Sequence, residues 1–197
     1  DICVPPENTE CISAEKFLEE LLMHRGDCSF CTKLIRRELF EGREFPLGVL
    51  NEDFHLLLEM LEDIEQIISL PAQSYHVFYR PGSNSRKEGR EEFSRVFGDC
   101  VENAKLAEEL TMERYPALTA VAFRFGVFQR IEYMLHIPIS RMTRDNEEYC
   151  AIVKDLRRCW TKSMRNPILT GKNKVYHTLF ALAPRAVRQA HAILRRK

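Results

Sequence analysis

The residues best suited to chemistry in this 197-residue chain are two adjacent carboxylates, Glu52 and Asp53. They follow Asn51, a residue type favoured at helix N-termini, and the apolar spacing after them predicts a helix that begins here. A carboxylate in the first turn of a helix is stabilised in its ionised form. It could therefore accept a proton from a substrate hydroxyl at neutral pH. Ordinary capping of the helix explains the same pair, so both interpretations stay open.

Basic residues on either side of this pair could bind phosphate. Lys33 and Arg36 lie in a predicted helix over 32–40 and could steer a phosphate-bearing substrate, although a solvated helix face is the more frequent meaning of such a run. Arg80 precedes a loop of turn-forming residues that contains Gly82 and Ser83. This loop could hold a diphosphate or sugar hydroxyls. Neither signal is specific by itself.

Two cysteines invite a metal interpretation. Cys28 and Cys31, with His24 four residues before the first of them, have a spacing at which two thiolates can share a zinc ion. The chain has no second closely spaced Cys/His pair, so ordinary buried thiols explain them better than a zinc-dependent regulator. The seven cysteines are an odd number, which argues against a disulfide framework and favours a reducing cytoplasm.

The charge is distributed unevenly along the chain. Asp155 is the last acidic residue, and 156–197 contains 11 lysines and arginines. Apolar residues alternate with these basic residues at helical spacing, as in a helix that lies among lipid headgroups. A terminal helix packed on the core with a solvated outer side fits the pattern equally well. No stretch reaches the roughly 18 apolar residues of a membrane span.

Hydrophobic periodicity predicts an α+β chain that is mostly helical and has two parts. Residues 1–86 mix helices with a few short strands, and residues 87–197 are all helical. In the first part we expect a helix from Ser13 to Gly26, a helix over 32–40, a helix after Asn51, and paired strands at 67–70 and 75–80. In the second part we expect helices from about 88, over 117–136, over 146–164 and from 172 to the end.

Four motifs occur in an order and at intervals that resemble bacterial family 2 glycosyltransferases. They are Lys33 to Phe40, Phe45 to Gly48, Asn51 to Phe54, and Tyr79 to Ser83. The resemblance covers 1–86 strongly and the basic helical part weakly. It implies a GT-A fold, of which this chain would be the acceptor-side part without the half that binds the sugar nucleotide.

The resemblance also implies a role for each residue of the motifs. Asp53 would be the general base that deprotonates an acceptor hydroxyl, with inversion at the anomeric carbon, and Glu52 would support it. Lys33 and Arg36 would border the acceptor. Arg80, Gly82 and Ser83 would form the loop that closes near the diphosphate. The chain departs from the family at Cys31-Thr32 and at His76, which leaves acceptor specificity open.

The expected partners are a nucleotide-sugar donor, a glycan or lipid-linked acceptor, and the inner surface of the cell membrane, with no nucleic acid. The chain has no Asp-x-Asp motif, which in the family holds a divalent cation, Mg or Mn, on the part that would precede Asp1. We therefore expect the isolated chain to bind no metal ion and to be inactive. The alternative is a non-catalytic helical interaction module that binds a membrane or a protein partner.

Overall fold

The computed structural model describes residues 5–72, 75–76, 78 and 93–194, and these are mostly helical with one pair of short strands. The predicted α+β, mostly helical class is confirmed. In chain order the elements are β1 (Glu10–Ser13), α1 (Ala14–Leu22), α2 (Glu52–Met60), β2 (Gln66–Ser69), α3 (Val96–Glu113), α4 (Thr119–His136), α5 (Glu147–Arg158), α6 (Trp160–Arg165), α7 (Gly171–Leu182) and α8 (Pro184–Leu194).

The strand predicted at 67–70 is present as β2, but the predicted pairing was wrong. β2 is antiparallel to β1, with Glu10 opposite Ser69 and Ser13 opposite Gln66. Ile12 lies opposite Ile67, and Ile67 is partly buried against the first core, so this non-local pairing places an apolar side chain on the core. Of the predicted partner strand 75–80, residues 75, 76 and 78 lie outside any strand, and the others fall outside the described residues.

The helix capped by Ser13 is confirmed. The Ser13 hydroxyl accepts a hydrogen bond of 3.1 Å from the backbone N–H of Lys16, and α1 follows directly from β1. The helix ends earlier than predicted, at Leu22, and His24 takes a left-handed conformation with φ of 59°. Gly26 follows in close contact with the backbone of Leu21, where an added Cβ would be 3.0 Å from the Leu21 nitrogen.

The helix predicted over 32–40 is absent. Two short 3-10 turns, Phe30–Thr32 and Arg37–Phe40, replace it, and Lys33 between them is extended. Side chains bind the local backbone instead: Asp27 accepts the N–H of Ser29 at 3.0 Å, and Ser29 accepts that of Cys31 at 3.3 Å. Such bonds compete with helix formation. Neither turn has a buried residue to hold a helical face against the core.

Two hydrophobic cores hold the described residues together. The first contains side chains of α1, α2, α3 and α4, so it draws on residues from both sides of the predicted boundary near 86. The second contains side chains of α3, α4, α5 and α7. The helices α3 and α4 contribute to both cores. They run antiparallel, since Phe97 stacks on His136 while Glu108 meets Arg130 further along.

A buried ion-pair network fastens three of these helices. Arg130 of α4 is 7% exposed and lies 3.2 Å from Glu108 of α3 and 3.6 Å from Asp155 of α5. Burial raises the pKa of Glu108 more than the Arg130 charge lowers it. Gly126 makes room for the pair, because an added Cβ would overlap the Glu108 carboxylate. Replacing one member of a buried ion pair is destabilising, because the remaining charge is left buried without its partner.

The later helices follow the prediction with two interruptions. The helix predicted over 117–136 is present as α4 after a short 3-10 turn. The helix predicted over 146–164 begins as expected, with the Asn146 side chain accepting the N–H of Tyr149 at 3.1 Å, but it breaks at Cys159 into α5 and α6. The helix predicted from 172 breaks before Pro184, which lacks the N–H a continuous helix would need.

His177 of α7 is a buried histidine whose titration couples to folding. It is 0% exposed, its Nε2 donates to the Leu156 carbonyl at 2.6 Å, and its Nδ1 has no partner among the described residues. Burial lowers the pKa of His177 against the raising effect of that bond, and the Arg130 charge lowers it further. A proton would place a second charge in this core beside Arg130.

We predict that the free energy of unfolding falls as the pH drops below about 6.5, where a histidine in the unfolded chain takes up a proton that folded His177 resists. His177→Gln keeps a donor for the Leu156 carbonyl but cannot titrate. The variant should therefore lose less stability than the wild type between about pH 7.5 and about pH 5 in denaturant titrations. Part of the slope should remain, because partial burial and the Arg124 charge lower the pKa of His24 to about 4. Identical slopes for both proteins would contradict this prediction.

Candidate functional site

The Glu52–Asp53 pair lies at the start of α2, as predicted, but the helix is entered differently. Gly48 and Asn51 both take left-handed conformations, with φ of 74° and 76°. Asn51 occupies the N-cap position, as predicted. Its side chain, however, makes no capping hydrogen bond. Its amide points instead to Cys100 of α3, at 3.5 Å from the sulfur. Both carboxylates are half-buried in the first turn.

Helix α3 holds this helix start through three further hydrogen bonds. The backbone N–H of Leu50 donates to the Asp99 carboxylate at 2.8 Å. The Asn103 amide donates to the Asn51 carbonyl at 3.0 Å, and its oxygen lies 3.1 Å from Nδ1 of His55. Asn103 is only 1% exposed. A buried amide is costly to leave without partners, so these bonds fix the position of α2 against α3.

Asp53 connects the start of α2 to the turn that precedes Lys33. Its Oδ2 accepts a hydrogen bond of 3.0 Å from the backbone N–H of Phe30. Its Oδ1 has no hydrogen-bond partner within the part of the chain that the structure describes. One carboxylate oxygen is therefore anchored and the other is available. The role of Asp53 as a general base stays a prediction.

Lys33 is engaged within its own segment. Its Nζ lies 2.8 Å from the Ser29 carbonyl, 3.1 Å from the Thr32 hydroxyl and 3.4 Å from the Asp27 carboxylate. Burial raises the pKa of Asp27, but the bonds from Thr32 and Ser29 and the Lys33 charge outweigh it and lower the pKa. A phosphate at Lys33 would have to displace these oxygens.

The other predicted binding residues are not brought to this place in the described structure. Arg36 is exposed and extended, just before the turn Arg37–Phe40. Arg80, Gly82 and Ser83 lie outside the described residues. Their roles stay predictions. The structure therefore brings together Glu52, Asp53 and the segment of Lys33.

Three apolar side chains in the segments around this site are exposed. Leu34 is 102% exposed, Leu47 is 99% exposed and Phe45 is 43% exposed. The ring of Phe45 meets Phe30 edge-on at 5.2 Å, so it borders the turn that Asp53 holds. We call Leu34, Phe45 and Leu47 the exposed apolar residues.

The cysteines have the properties of partly buried thiols. Burial raises the pKa of Cys28 and raises that of Cys100 to about 11. A raised pKa disfavours the thiolate, which is the form that binds metal ions and reacts. Nδ1 of His24 faces the Arg124 guanidinium at 2.9 Å. Among the described residues no group of three His, Cys, Asp or Glu side chains could hold a metal ion.

A cleft of about 260 Å³ lies elsewhere, between α3 and α5. Four acidic side chains, Glu102, Glu147, Glu148 and Asp155, contribute to its lining. Glu148 accepts the Tyr133 hydroxyl at 2.7 Å, and Asp155 pairs with Arg130. None of the residues predicted from the sequence lines this cleft.

The basic C-terminal helices expose a set of apolar side chains. We call this set the C-terminal apolar surface; it comprises Val175, Leu179, Leu182, Ile193 and Leu194, which are 43% to 75% exposed. Phe180 and Val187, apolar residues of the same two helices, instead pack on the second core. No helix of the described residues is long and apolar enough to span a bilayer.

Sequence reasoning missed the residues that position the helix start. Asn103 offered a signal, because it is a polar residue beside Ala104 and Ala107 on the apolar face of the predicted long helix. A polar residue on such a face usually has a buried partner. Asp99 had no comparable signal, because its role depends on a contact with a residue 49 positions away in the chain.

Comparison of the chain with protein-family models, with curated proteins and with solved structures found no match.

Proposed function

We propose that this chain is the acceptor-side part of an inverting glycosyltransferase. The enzyme would transfer a sugar from a nucleotide-sugar donor to a hydroxyl of a cell-surface glycan or lipid-linked acceptor. One observation carries the proposal: Asp53 lies in the first turn of α2 with Oδ2 held by Phe30 and Oδ1 without a partner among the described residues. A base needs this combination of a fixed orientation and an available oxygen.

The chemistry assigned to Asp53 is a single proton transfer. Oδ1 takes the proton of the acceptor hydroxyl as the hydroxyl oxygen attacks the anomeric carbon. The bond from that carbon to the diphosphate breaks on the opposite face, and the configuration inverts. Glu52, the neighbouring half-buried carboxylate, would support the site.

The donor would bind to a unit that covers the exposed apolar residues, Leu34, Phe45 and Leu47. Their exposure supports such a contact, because removing apolar side chains from water is favourable. The divalent cation implied by the family resemblance would be held on that unit, where it would stabilise the leaving diphosphate. Arg80, Gly82 and Ser83 would approach the same diphosphate, and Lys33 and Arg36 would border the acceptor.

The C-terminal apolar surface supports a location at the inner face of the cell membrane, on the cytoplasmic side. Arg185 and Lys172 are exposed on the same two helices, and 156–197 contains no acidic residue. Attraction to anionic lipid adds about 1 kcal/mol for each basic residue near the surface. The same observation favours the second candidate, a non-catalytic helical module that binds a membrane.

We predict that Asp53→Asn in the full-length protein reduces sugar transfer by a factor of about 10² to 10⁴ while donor binding changes little, because the amide cannot accept the proton. Release of nucleoside diphosphate from a panel of nucleotide sugars, with membrane extract as acceptor source, measures turnover. Donor binding is measured separately by calorimetry.

Asp63→Asn is the matched control, because Asp63 is an exposed carboxylate beyond the other end of α2 that pairs with Arg43 at 2.5 Å. The control should retain wild-type turnover. An Asp53→Asn protein that turns over at the wild-type rate would remove Asp53 from the role of base. Vesicle binding without consumption of any donor would favour the non-catalytic module.

We predict that replacing Ile193 and Leu194 together with serine weakens binding to vesicles by about tenfold or more, because burial of one aliphatic side chain contributes about 1.5 kcal/mol or more. Both side chains are exposed, at 62% and 71%, so the fold should be kept. Sedimentation with vesicles of phosphatidylcholine and phosphatidylglycerol measures the change.

Met112→Ser on α3 is the control, since Met112 is 63% exposed and lies outside the C-terminal apolar surface. It should bind vesicles as the wild type does. Equal vesicle binding by the wild type and both variants would contradict the proposal that the C-terminal apolar surface binds a membrane. Binding to DNA with a steep dependence on salt would instead indicate that the basic helices bind nucleic acid.

A further inference from the structure

The single tryptophan of the chain, Trp160, lies on the surface at the start of α6. It is 41% exposed, although most of a tryptophan side chain is usually buried in a folded protein. Its indole N–H donates to the Thr178 hydroxyl of α7 at 3.0 Å, and that hydroxyl donates in turn to the Lys174 carbonyl at 2.9 Å. The ring is therefore held on α7 with part of its apolar surface in water.

The bond to Thr178 places the indole next to a row of exposed apolar side chains on α7. Thr178 follows Val175 by three residues and precedes Leu182 by four, and residues at these spacings are neighbours on a helix surface. Val175, Leu179 and Leu182 are 59%, 43% and 75% exposed. Trp160 therefore extends the C-terminal apolar surface from α7 onto α6.

The two helices that carry these side chains are basic. Arg165 of α6 and Lys172 of α7 are exposed, and neither 160–165 nor 171–182 contains an aspartate or a glutamate. A symmetric contact between two copies of this surface would bring like charges together, which is unfavourable. Charge complementarity instead favours an occupant with a dense negative charge and an apolar interior, which describes an anionic bilayer.

We propose that Trp160 inserts at the headgroup level of an anionic membrane and anchors α6 and α7 there. Tryptophan is enriched at this level, because its large ring is mostly apolar. The indole N–H of Trp160 already has an acceptor in Thr178, so moving the ring out of water leaves no donor without a partner. The inference rests on the membrane location proposed above, and it adds the residue that sets the depth of the contact.

The fluorescence of the full chain tests this role directly, because all tryptophan emission comes from Trp160. Vesicles of phosphatidylcholine and phosphatidylglycerol should shift the emission to shorter wavelength as the ring leaves water. Lipids brominated near the headgroup should quench the emission more strongly than lipids brominated deep in the acyl chain. Sedimentation of the same samples measures vesicle binding independently.

These two measurements separate failure of the anchor from failure of the membrane location. Sedimentation with vesicles without any change in emission would overturn the role of Trp160 and leave the C-terminal apolar surface as the membrane contact. Absence of sedimentation would contradict the membrane location and this inference with it. A shift that depends on protein concentration without vesicles would identify a second copy as the occupant and would also overturn the proposal.

Substitutions then distinguish lipid contact from packing on α7. Trp160→Ala should weaken vesicle binding about tenfold, because the exposed part of a large aromatic ring no longer leaves water. Trp160→Phe keeps a ring but loses the bond to Thr178, so it should bind vesicles more tightly than Trp160→Ala. If Trp160 only fastened α6 to α7 through that bond, both variants would lose affinity equally.

Tyr75→Ala is the matched control, since Tyr75 is an exposed aromatic residue, at 52%, outside the C-terminal apolar surface. It should bind vesicles as the wild type does. Vesicles of phosphatidylcholine alone should bind the wild type about tenfold or more weakly, because the attraction of basic residues to anionic lipid is lost. Equal affinity of the wild type and Trp160→Ala would overturn the proposal.

Discussion

One buried amide, the side chain of Asn103, fixes where the Glu52–Asp53 pair lies. It bonds at once to the Asn51 carbonyl and to His55, at 3.0 and 3.1 Å, from a position that is 1% exposed. Moving α2 away from α3 would leave these groups buried without partners, which costs more than an ordinary hydrogen bond contributes. The pair is thus held from the helical part of the chain, 48 to 52 residues further on.

Helix α3 can act as a fixed support because α4 and α5 hold it in turn. The Arg130 guanidinium joins Glu108 and Asp155 across all three helices. Gly98 of α3 makes room for the Glu148 carboxylate of α5, where an added Cβ would overlap it. The first core then packs α1 and α2 on this scaffold. The second part of the chain therefore has a role in positioning the carboxylates, besides any contact with a membrane.

Local signals predicted much of this fold, and non-local contacts account for what they missed. The cap by Ser13 and the helix of 119–136 depend on neighbouring residues, so the sequence reveals them. The pairing of β1 with β2 and the clamp by Asn103 depend on residues about 50 positions apart, which no periodicity specifies. The prediction of a helix over 32–40 was wrong, because neither of the two 3-10 turns has a buried residue that would hold a helical face against the core.

In the candidate site, too, local signals were predictive and non-local contacts were not. The sequence placed two carboxylates at a helix start because turn residues precede them and apolar spacing follows them. It could not indicate that Asp53 would meet Phe30, because that bond joins a side chain to a backbone N–H 23 residues away. It also gave no sign that Arg124 would bind the Leu22 carbonyl, because the two residues lie 102 positions apart in the chain.

The most direct test of this account is hydrogen exchange of the Phe30 amide, the group that Asp53 holds. In Asn103→Ala, exchange of Phe30 should accelerate about tenfold or more relative to the amides of α4, because the start of α2 loses its attachment to α3. Thr111→Ala, at another buried polar residue of α3, should leave that ratio unchanged. An unchanged Phe30 rate in Asn103→Ala would contradict the claim that α3 positions Asp53.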